Sequence, residues 1–134
     1  MNAFVIGETD FGINVEKSYL RTVGEREGQR VLELEVVGDT DTFDHISEDE
    51  EWSWALYPPK FYLRGLSVPS DLFESEVMLP LEHSDAYECS LYMMEHNAVR
   101  NLEIQFYSVR EVELRGNVDL VGDDRRFTIR YAIK

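Results

Sequence analysis

The stretch that decides the fold is the last third of the chain, where residues 99–134 read VRNLEIQFYSVREVELRGNVDLVGDDRRFTIRYAIK. Apolar residues occupy every second position in three successive runs, with polar or charged residues between them. The apolar positions are Leu102, Ile104, Phe106, Val112, Leu114, Gly116, Val118, Leu120, Phe127, Ile129, Tyr131 and Ile133. A period of two is typical of half-buried antiparallel strands. A turn at Gly122, Asp123 and Asp124 separates the last two runs, so the stretch predicts a three-stranded meander.

The rest of the chain contains further short runs of the same kind. We interpret residues 3–6, 11–15, 17–23, 30–37, 52–56, 61–66 and 86–94 as strands, with residues 24–28 connecting a hairpin and residues 95–98 forming a turn. Residues 38–51 suit a solvated loop with one helical turn, and residues 70–77 a short helix. The prediction is a single domain over residues 1–134. Its fold is mainly β, an antiparallel β-sandwich or partly closed barrel with at most one or two short helices.

The chain is strongly acidic, with 27 Asp and Glu against 13 Lys and Arg and a formal net charge of −14. Such a surface repels phosphate backbones and anionic lipids, which argues against direct binding of nucleic acid or membrane. The N-terminal residues lack the basic and long apolar regions of a signal peptide, and the single cysteine, Cys89, excludes an intramolecular disulfide. We therefore expect a cytoplasmic protein.

The acidity is concentrated in two segments, residues 31–59 and residues 65–99 with its seven acids, and the first segment holds the candidate binding site. Residues 31–59 hold nine acids and no Lys or Arg, and two tyrosines follow the acidic run closely. Aromatic side chains beside a charged rim are common in protein interfaces. The predicted partner-binding residues are Asp39, Asp41, Asp44, Glu48, Asp49, Glu50, Glu51, Tyr57 and Tyr62.

The same segment partly matches a calcium-binding loop. Asp39, Asp41 and Glu50 have the spacing of the first, third and twelfth positions of an EF-hand loop. Phe43 and Asp44 occupy the fifth and sixth positions, where the loop needs a ligand and a glycine. A solvated acidic loop is the simpler interpretation, so no metal and no cofactor are predicted.

Catalytic motifs are lacking. The sequence contains no glycine-rich phosphate loop and no G-x-S-x-G motif, and its three histidines, His45, His83 and His96, form no close pair. His83, Ser84 and Asp85 are the residue types of a catalytic triad, but neighbours in an extended segment point to opposite sides and cannot converge. Cys89 falls on an apolar strand face, which favours a buried and inert thiol.

These observations favour a non-enzymatic binding protein that docks onto a basic protein partner and inhibits it. In size, charge and lack of a catalytic motif, the chain resembles the immunity proteins that neutralise bacterial toxins and the DNA-mimicking inhibitors of phages. That resemblance implies a basic partner such as a toxin, and a nuclease in particular, because a nuclease must hold phosphates.

Three alternatives remain open. One is a β-barrel that binds a small molecule in an interior lined by Trp54, Phe61, Tyr87, Leu91, Met93, Phe106 and Phe127. Another is a hydrolase built from distant residues, with His45 or His96 as the general base. The third is a structural subunit that pairs with other chains through an edge strand such as residues 126–133.

Overall fold

The computed structural model describes residues 2–69, 79–80, 87–108 and 110–133, which form ten strands, one α-helix and one short 3₁₀-helix. The predicted helix at residues 70–77 lies outside the described residues. The elements are β1 (Ala3–Ile6), β2 (Thr9–Asp10), β3 (Tyr19–Arg26), β4 (Gln29–Val37), α1 (Thr40–Ile46), the 3₁₀-helix (Glu50–Trp52), β5 (Lys60–Pro69), β6 (Leu79–Pro80), β7 (Glu88–Tyr92), β8 (His96–Ser108), β9 (Glu111–Leu120) and β10 (Asp123–Ala132).

The strands form one antiparallel sheet that curls into a half-barrel. Their order is β2-β1-β10-β9-β8-β7-β5-β4-β3, and β6 pairs with β8 away from this path. The long strand β8 joins the two halves, because its first residues pair with β7 and its later residues with β9. Its register shifts between Arg100 and Glu103, beside the left-handed backbone of Asn101 (φ 54°). The prediction of a mainly β fold with few short helices is confirmed.

The C-terminal meander forms as predicted. Strands β9 and β10 pair without a register shift from Asp123 opposite Leu120 to Ala132 opposite Glu111. The turn between them consists of Val121 and Gly122, both with positive φ (53° and 81°), as a tight hairpin turn requires. The predicted turn at residues 122–124 was one residue too late, because Asp123 already pairs in the sheet.

The core lies inside the curl of the sheet. The predicted apolar positions from Leu102 to Tyr131 are buried, and Ile133 is partly buried against them. The rings of Phe61 on β5 and Phe127 on β10 lie 5.6 Å apart, although three strands separate β5 from β10 in the sheet. That contact spans the concave side, so the two halves of the sheet pack against each other.

The predicted strand at residues 11–15 was wrong. Asp10 ends β2, and its carboxylate accepts hydrogen bonds from the backbone N–H groups of Phe4 and Gly12. Gly12 has φ +66°, which bends the chain, and the Asn14 side chain then accepts from the backbone of Lys17 in a turn. The segment therefore turns, although its apolar residues alternate.

Two connections differ from the predictions in length. Strand β3 continues through the predicted connection to Arg26, so that Glu27 and Gly28 alone form the hairpin turn. Strand β8 begins at His96, inside the predicted turn at residues 95–98, because Tyr92 and His96 already pair.

The predicted strand at residues 52–56 was also wrong. Trp52 ends the 3₁₀-helix, and the next strand begins at Lys60, after Pro58 and Pro59. Trp52 is nevertheless a core residue, with 2% of its surface exposed. Among the described residues, no helix has the length and apolar character needed to cross a membrane.

Candidate functional site

The predicted acidic segment is the first part of the connection between β4 and β5. We call residues 39–51 the acidic connection. It contains α1, where the sequence suggested a single helical turn. The carboxylate of Asp39 caps this helix by accepting hydrogen bonds from the backbone N–H (3.0 Å) and the hydroxyl (2.8 Å) of Thr42. Both hydrogen bonds lower the pKa of the Asp39 carboxyl, and the bond from the backbone N–H of Thr42 has the larger effect. The charge of Asp39 therefore stabilises the start of the helix.

Helix α1 is amphipathic, which decides where its acids point. Phe43 is buried and Ile46 is packed against the core, three residues further along the chain. Asp41 and Asp44 are exposed and have the same three-residue spacing, so they share the outer face of the helix. The helix therefore holds two carboxylates toward solvent on a fixed backbone.

The far end of the acidic connection is anchored by Trp52. Its ring packs edge-on against Phe11, with centroids 5.0 Å apart, and its indole N–H donates to the hydroxyl of Thr9 at 3.2 Å. The guanidinium of Arg125 on β10 lies 5.3 Å from the Trp52 ring centroid and forms an ion pair with Glu51. These contacts tie the segment to β2, to Phe11 just after it and to β10, all of which lie far from it in sequence.

The two ends of the β4–β5 connection lie close together. The backbone N–H of Gly38 donates to the carbonyl of Pro59 at 2.8 Å, which brings the two ends of the connection together. A Cβ atom at Gly38 would lie 2.9 Å from the Cδ atom of Pro59. Leu56 and Tyr57 come just before Pro58 and Pro59, and they are 65% and 54% exposed. Two large side chains of the connection that carries the acidic residues therefore project into solvent.

Most carboxylates of the acidic connection are exposed and uncompensated. Six of the seven acids are exposed, and Asp39 is half-buried. Within the described part of the chain, Glu51 alone among them forms an ion pair, to Arg125. The exposed and unpaired acids are Asp41, Asp44, Glu48, Asp49 and Glu50.

Two acids on β4 are paired. Glu33 on β4 lies 3.1 Å from Arg21, and Glu35 lies 3.3 Å from Lys60, with Arg64 close to both acids. The neighbouring strands therefore supply bases at positions that match the carboxylates on this face of β4.

Two arginines of the C-terminal meander pair locally as well. Arg115 and Arg130 contact Glu113, and Arg130 also contacts Glu111. These two arginines therefore compensate acids of β9, whereas Arg125 of the same meander compensates Glu51 of the acidic connection.

The two predicted aromatic anchors lie in different settings. Tyr57 belongs to the β4–β5 connection and follows the last of the acidic residues, Glu51, by six positions in the chain. Tyr62 lies on β5, where Arg64 stacks on its ring at 5.0 Å and His96 approaches it edge-on at 5.9 Å. Tyr62 therefore belongs to the outer face of the sheet with Glu35, its register partner. Tyr57 alone remains a candidate anchor beside the acidic connection.

Among the candidate catalytic groups, the structure describes His45, His96 and Cys89. His45 is exposed on α1, and His96 lies near Tyr92 with its Nδ1 atom 3.2 Å from the hydroxyl of Ser90. Burial raises the pKa of the Cys89 thiol to about 12, so the thiol is protonated at neutral pH. Residues 83–85 lie outside the described residues. In the described ranges, no three His, Cys, Asp or Glu side chains are grouped as a metal site requires.

The residues proposed to line a small-molecule cavity mostly belong to the packed core. Phe61, Leu91, Met93, Phe106 and Phe127 are buried, while Trp54 and Tyr87 are partly buried against them.

A pocket of about 370 Å³ lies elsewhere, between the start of β3 and the end of β10. Sequence reasoning missed this pocket because its two walls are more than 100 residues apart in the chain. Its lining residues are Val15, Glu16, Ser18, Tyr19, Leu20, Tyr131, Ala132 and Ile133.

Comparison of the chain with family models, curated proteins and solved structures found no match.

Proposed function

We propose that the protein is a non-enzymatic binding protein that docks its acidic connection onto a basic protein partner and inhibits that partner. The observation that carries the proposal is the row of exposed, unpaired carboxylates on a connection held in place by Trp52 and Arg125. A fixed field of one sign steers a partner of opposite sign and speeds its association.

The chemistry of the surface favours a partner with a basic cleft. The exposed side chains of Leu56 and Tyr57 offer an apolar anchor beside the charges, and an aromatic anchor with a charged rim is typical of tight protein interfaces. A basic cleft that normally holds phosphates would meet carboxylates in their place. A nuclease or another nucleic-acid-binding toxin in the cytoplasm is therefore the proposed target.

The partner can be trapped by photo-crosslinking in the native cell. A photoreactive amino acid replaces Tyr57, and a matched control carries it at Tyr107, an exposed tyrosine on β8. We expect one basic protein to crosslink at position 57 and not at position 107. Equal crosslinking at both positions, or capture of acidic proteins only, would contradict the proposal.

The trapped partner then allows the electrostatic mechanism to be measured. The variant Asp44→Asn/Glu48→Gln/Glu50→Gln removes three charges from the acidic connection. The control Glu8→Gln/Glu25→Gln/Glu95→Gln removes three charges from exposed acids elsewhere. We expect the first variant to slow association about tenfold or more at low salt and the control to change it little. An association rate that does not fall with added salt would exclude electrostatic steering.

A further inference from the structure

The free edge of β3 exposes backbone groups that a further strand could pair with. Strand β3 ends the sheet and pairs only with β4 among the described residues. In an antiparallel pair every second residue turns its N–H and C=O groups away from its neighbour, so an edge strand offers a row of donors and acceptors. Arg21, Thr22 and Val23 are exposed along this edge.

A regular part of the edge lies at its start. The register between β3 and β4 is continuous from Tyr19 to Thr22 and shifts between Thr22 and Gly24. A bulge of this kind twists a strand and interrupts further pairing. The usable edge is therefore about four residues long, or roughly 13 Å at the rise of a strand.

The pocket of about 370 Å³ opens at this same end of β3. Leu20 and Val15 line one wall and Ile133 lines the other, so each wall offers apolar contacts beside its polar groups. The hydroxyl of Tyr131 donates to the carbonyl of Ser18 at 3.0 Å and so joins the two walls. Glu16 supplies the carboxylate of the lining, and within the described residues it forms no ion pair.

We propose that the free edge of β3 and the adjoining pocket bind an extended peptide that adds a strand to the sheet and inserts one apolar side chain into the pocket. The backbone of an extended chain is the partner that matches a row of unpaired N–H and C=O groups. Charge complementarity with Glu16 selects a peptide with Lys or Arg beside the inserted residue. This surface is distinct from the acidic connection, so neither proposal depends on the other.

The test uses the full chain and a phage-displayed library of random eight-residue peptides. Enriched peptides are synthesised with a fluorescent label, and their affinities are measured by anisotropy. We expect the enriched sequences to share a large apolar residue next to Lys or Arg. Hydrogen exchange measured with saturating peptide should slow at backbone amides between Tyr19 and Thr22, because a docked strand protects them.

Three variants separate this site from the acidic connection. Val15→Trp fills the pocket, Glu16→Lys reverses its charge, and Glu48→Lys makes the same charge change in the acidic connection. We expect the first two to weaken peptide binding at least tenfold and Glu48→Lys to change it less than twofold. Thermal melts verify folding, and Ala132→Phe is a second pocket-filling variant if Val15→Trp does not fold.

Several results would overturn the proposal. They are a library without enriched peptides, enriched peptides that bind the pocket-filling variant as tightly as the unchanged protein, or slowed exchange confined to other strands. Self-association in sedimentation experiments that Val15→Trp abolishes would identify a second copy of this chain as the occupant, which also overturns it.

Discussion

At the residue scale, Asp39 links the charge of the acidic connection to its structure, because its carboxylate caps α1. Asp39→Ala removes the acceptor for the backbone N–H and the hydroxyl of Thr42. We expect a loss of about 1 kcal/mol in the free energy of unfolding. Asp39→Asn retains a side-chain oxygen that can cap the helix and is the matched control. Chemical denaturation measures both, and an equal loss in the two variants would contradict a capping role.

The same cap predicts a pH dependence with a definite sign. The hydrogen bonds from Thr42 place the pKa of Asp39 in the folded protein below its value in the unfolded chain. Its ionisation therefore stabilises the fold above the unfolded pKa of roughly 4, and this contribution disappears as pH falls through the folded pKa. The stability difference between the unchanged protein and Asp39→Ala should shrink from pH 7 to pH 3. A constant difference would show that the Asp39 charge plays no part.

Cys89 gives a second prediction at this scale. Burial raises the pKa of its thiol to about 12, so very little thiolate exists at pH 8. We expect the folded protein to react with iodoacetamide at least a hundredfold more slowly than the same chain in denaturant. Mass spectrometry over time measures both rates. Fast alkylation of the folded protein would contradict the buried setting of the thiol.

At the element scale, the meander depends on the absence of a side chain at Gly116. A Cβ atom there would lie 3.0 Å from the ring of Phe127 and 3.1 Å from the carbonyl oxygen of Arg100. Gly116→Ala must displace a buried ring or a backbone strand, and we expect a loss of about 1–3 kcal/mol. Gly24→Ala is the control, because nothing lies within 4 Å of its Cβ position. Urea denaturation should separate the two variants, and equal losses would disprove the packing argument.

The elements that the sequence predicted correctly are those in which periodicity and burial agree. The sequence alternates throughout β9 and from Phe127 onward in β10, so one pattern determines both the type and the inward face of these strands. Trp52, Trp54 and Leu56 alternate as well, but the chain there turns through a 3₁₀-helix anchored by Thr9 and Phe11. Alternation over three aromatic or aliphatic residues is too short to distinguish a strand from a turn held by distant contacts.

Helix α1 was recognisable from local signals that the acidic composition obscured. Asp39 stands three residues before Thr42 in the position of a helix cap, and Phe43 and Ile46 have helical spacing. The ion pair of Glu51 with Arg125 had no such signal, since 74 residues separate the two. The same holds for the hydrogen bond from Tyr131 on β10 to the carbonyl of Ser18, 113 residues away. Local pattern therefore located the acidic segment, while tertiary contacts decide which of its charges remain free.

At the scale of the whole molecule, the net charge of −14 has two components with opposite effects on stability. Glu33 and Glu35 on the sheet are matched by bases on neighbouring strands. Five acids of the acidic connection, Asp41, Asp44, Glu48, Asp49 and Glu50, form no ion pair within the described residues and repel one another. A surface that retains repulsion is expected where the charges serve binding, since function commonly costs stability.

Two sets of substitutions test this division. Asp44→Asn/Glu48→Gln/Glu50→Gln relieves repulsion, so we expect the melting temperature to stay equal or rise by a few degrees while partner association slows. Glu33→Gln/Glu35→Gln breaks ion pairs worth about 0.2–1 kcal/mol each, so stability should fall while association is unchanged. Thermal melts at low salt measure the change in stability. Stopped-flow experiments with the trapped partner measure the change in association rate. If both sets lower stability equally, the carboxylates of the acidic connection are structural, and their exposure gives no reason to assign them a partner.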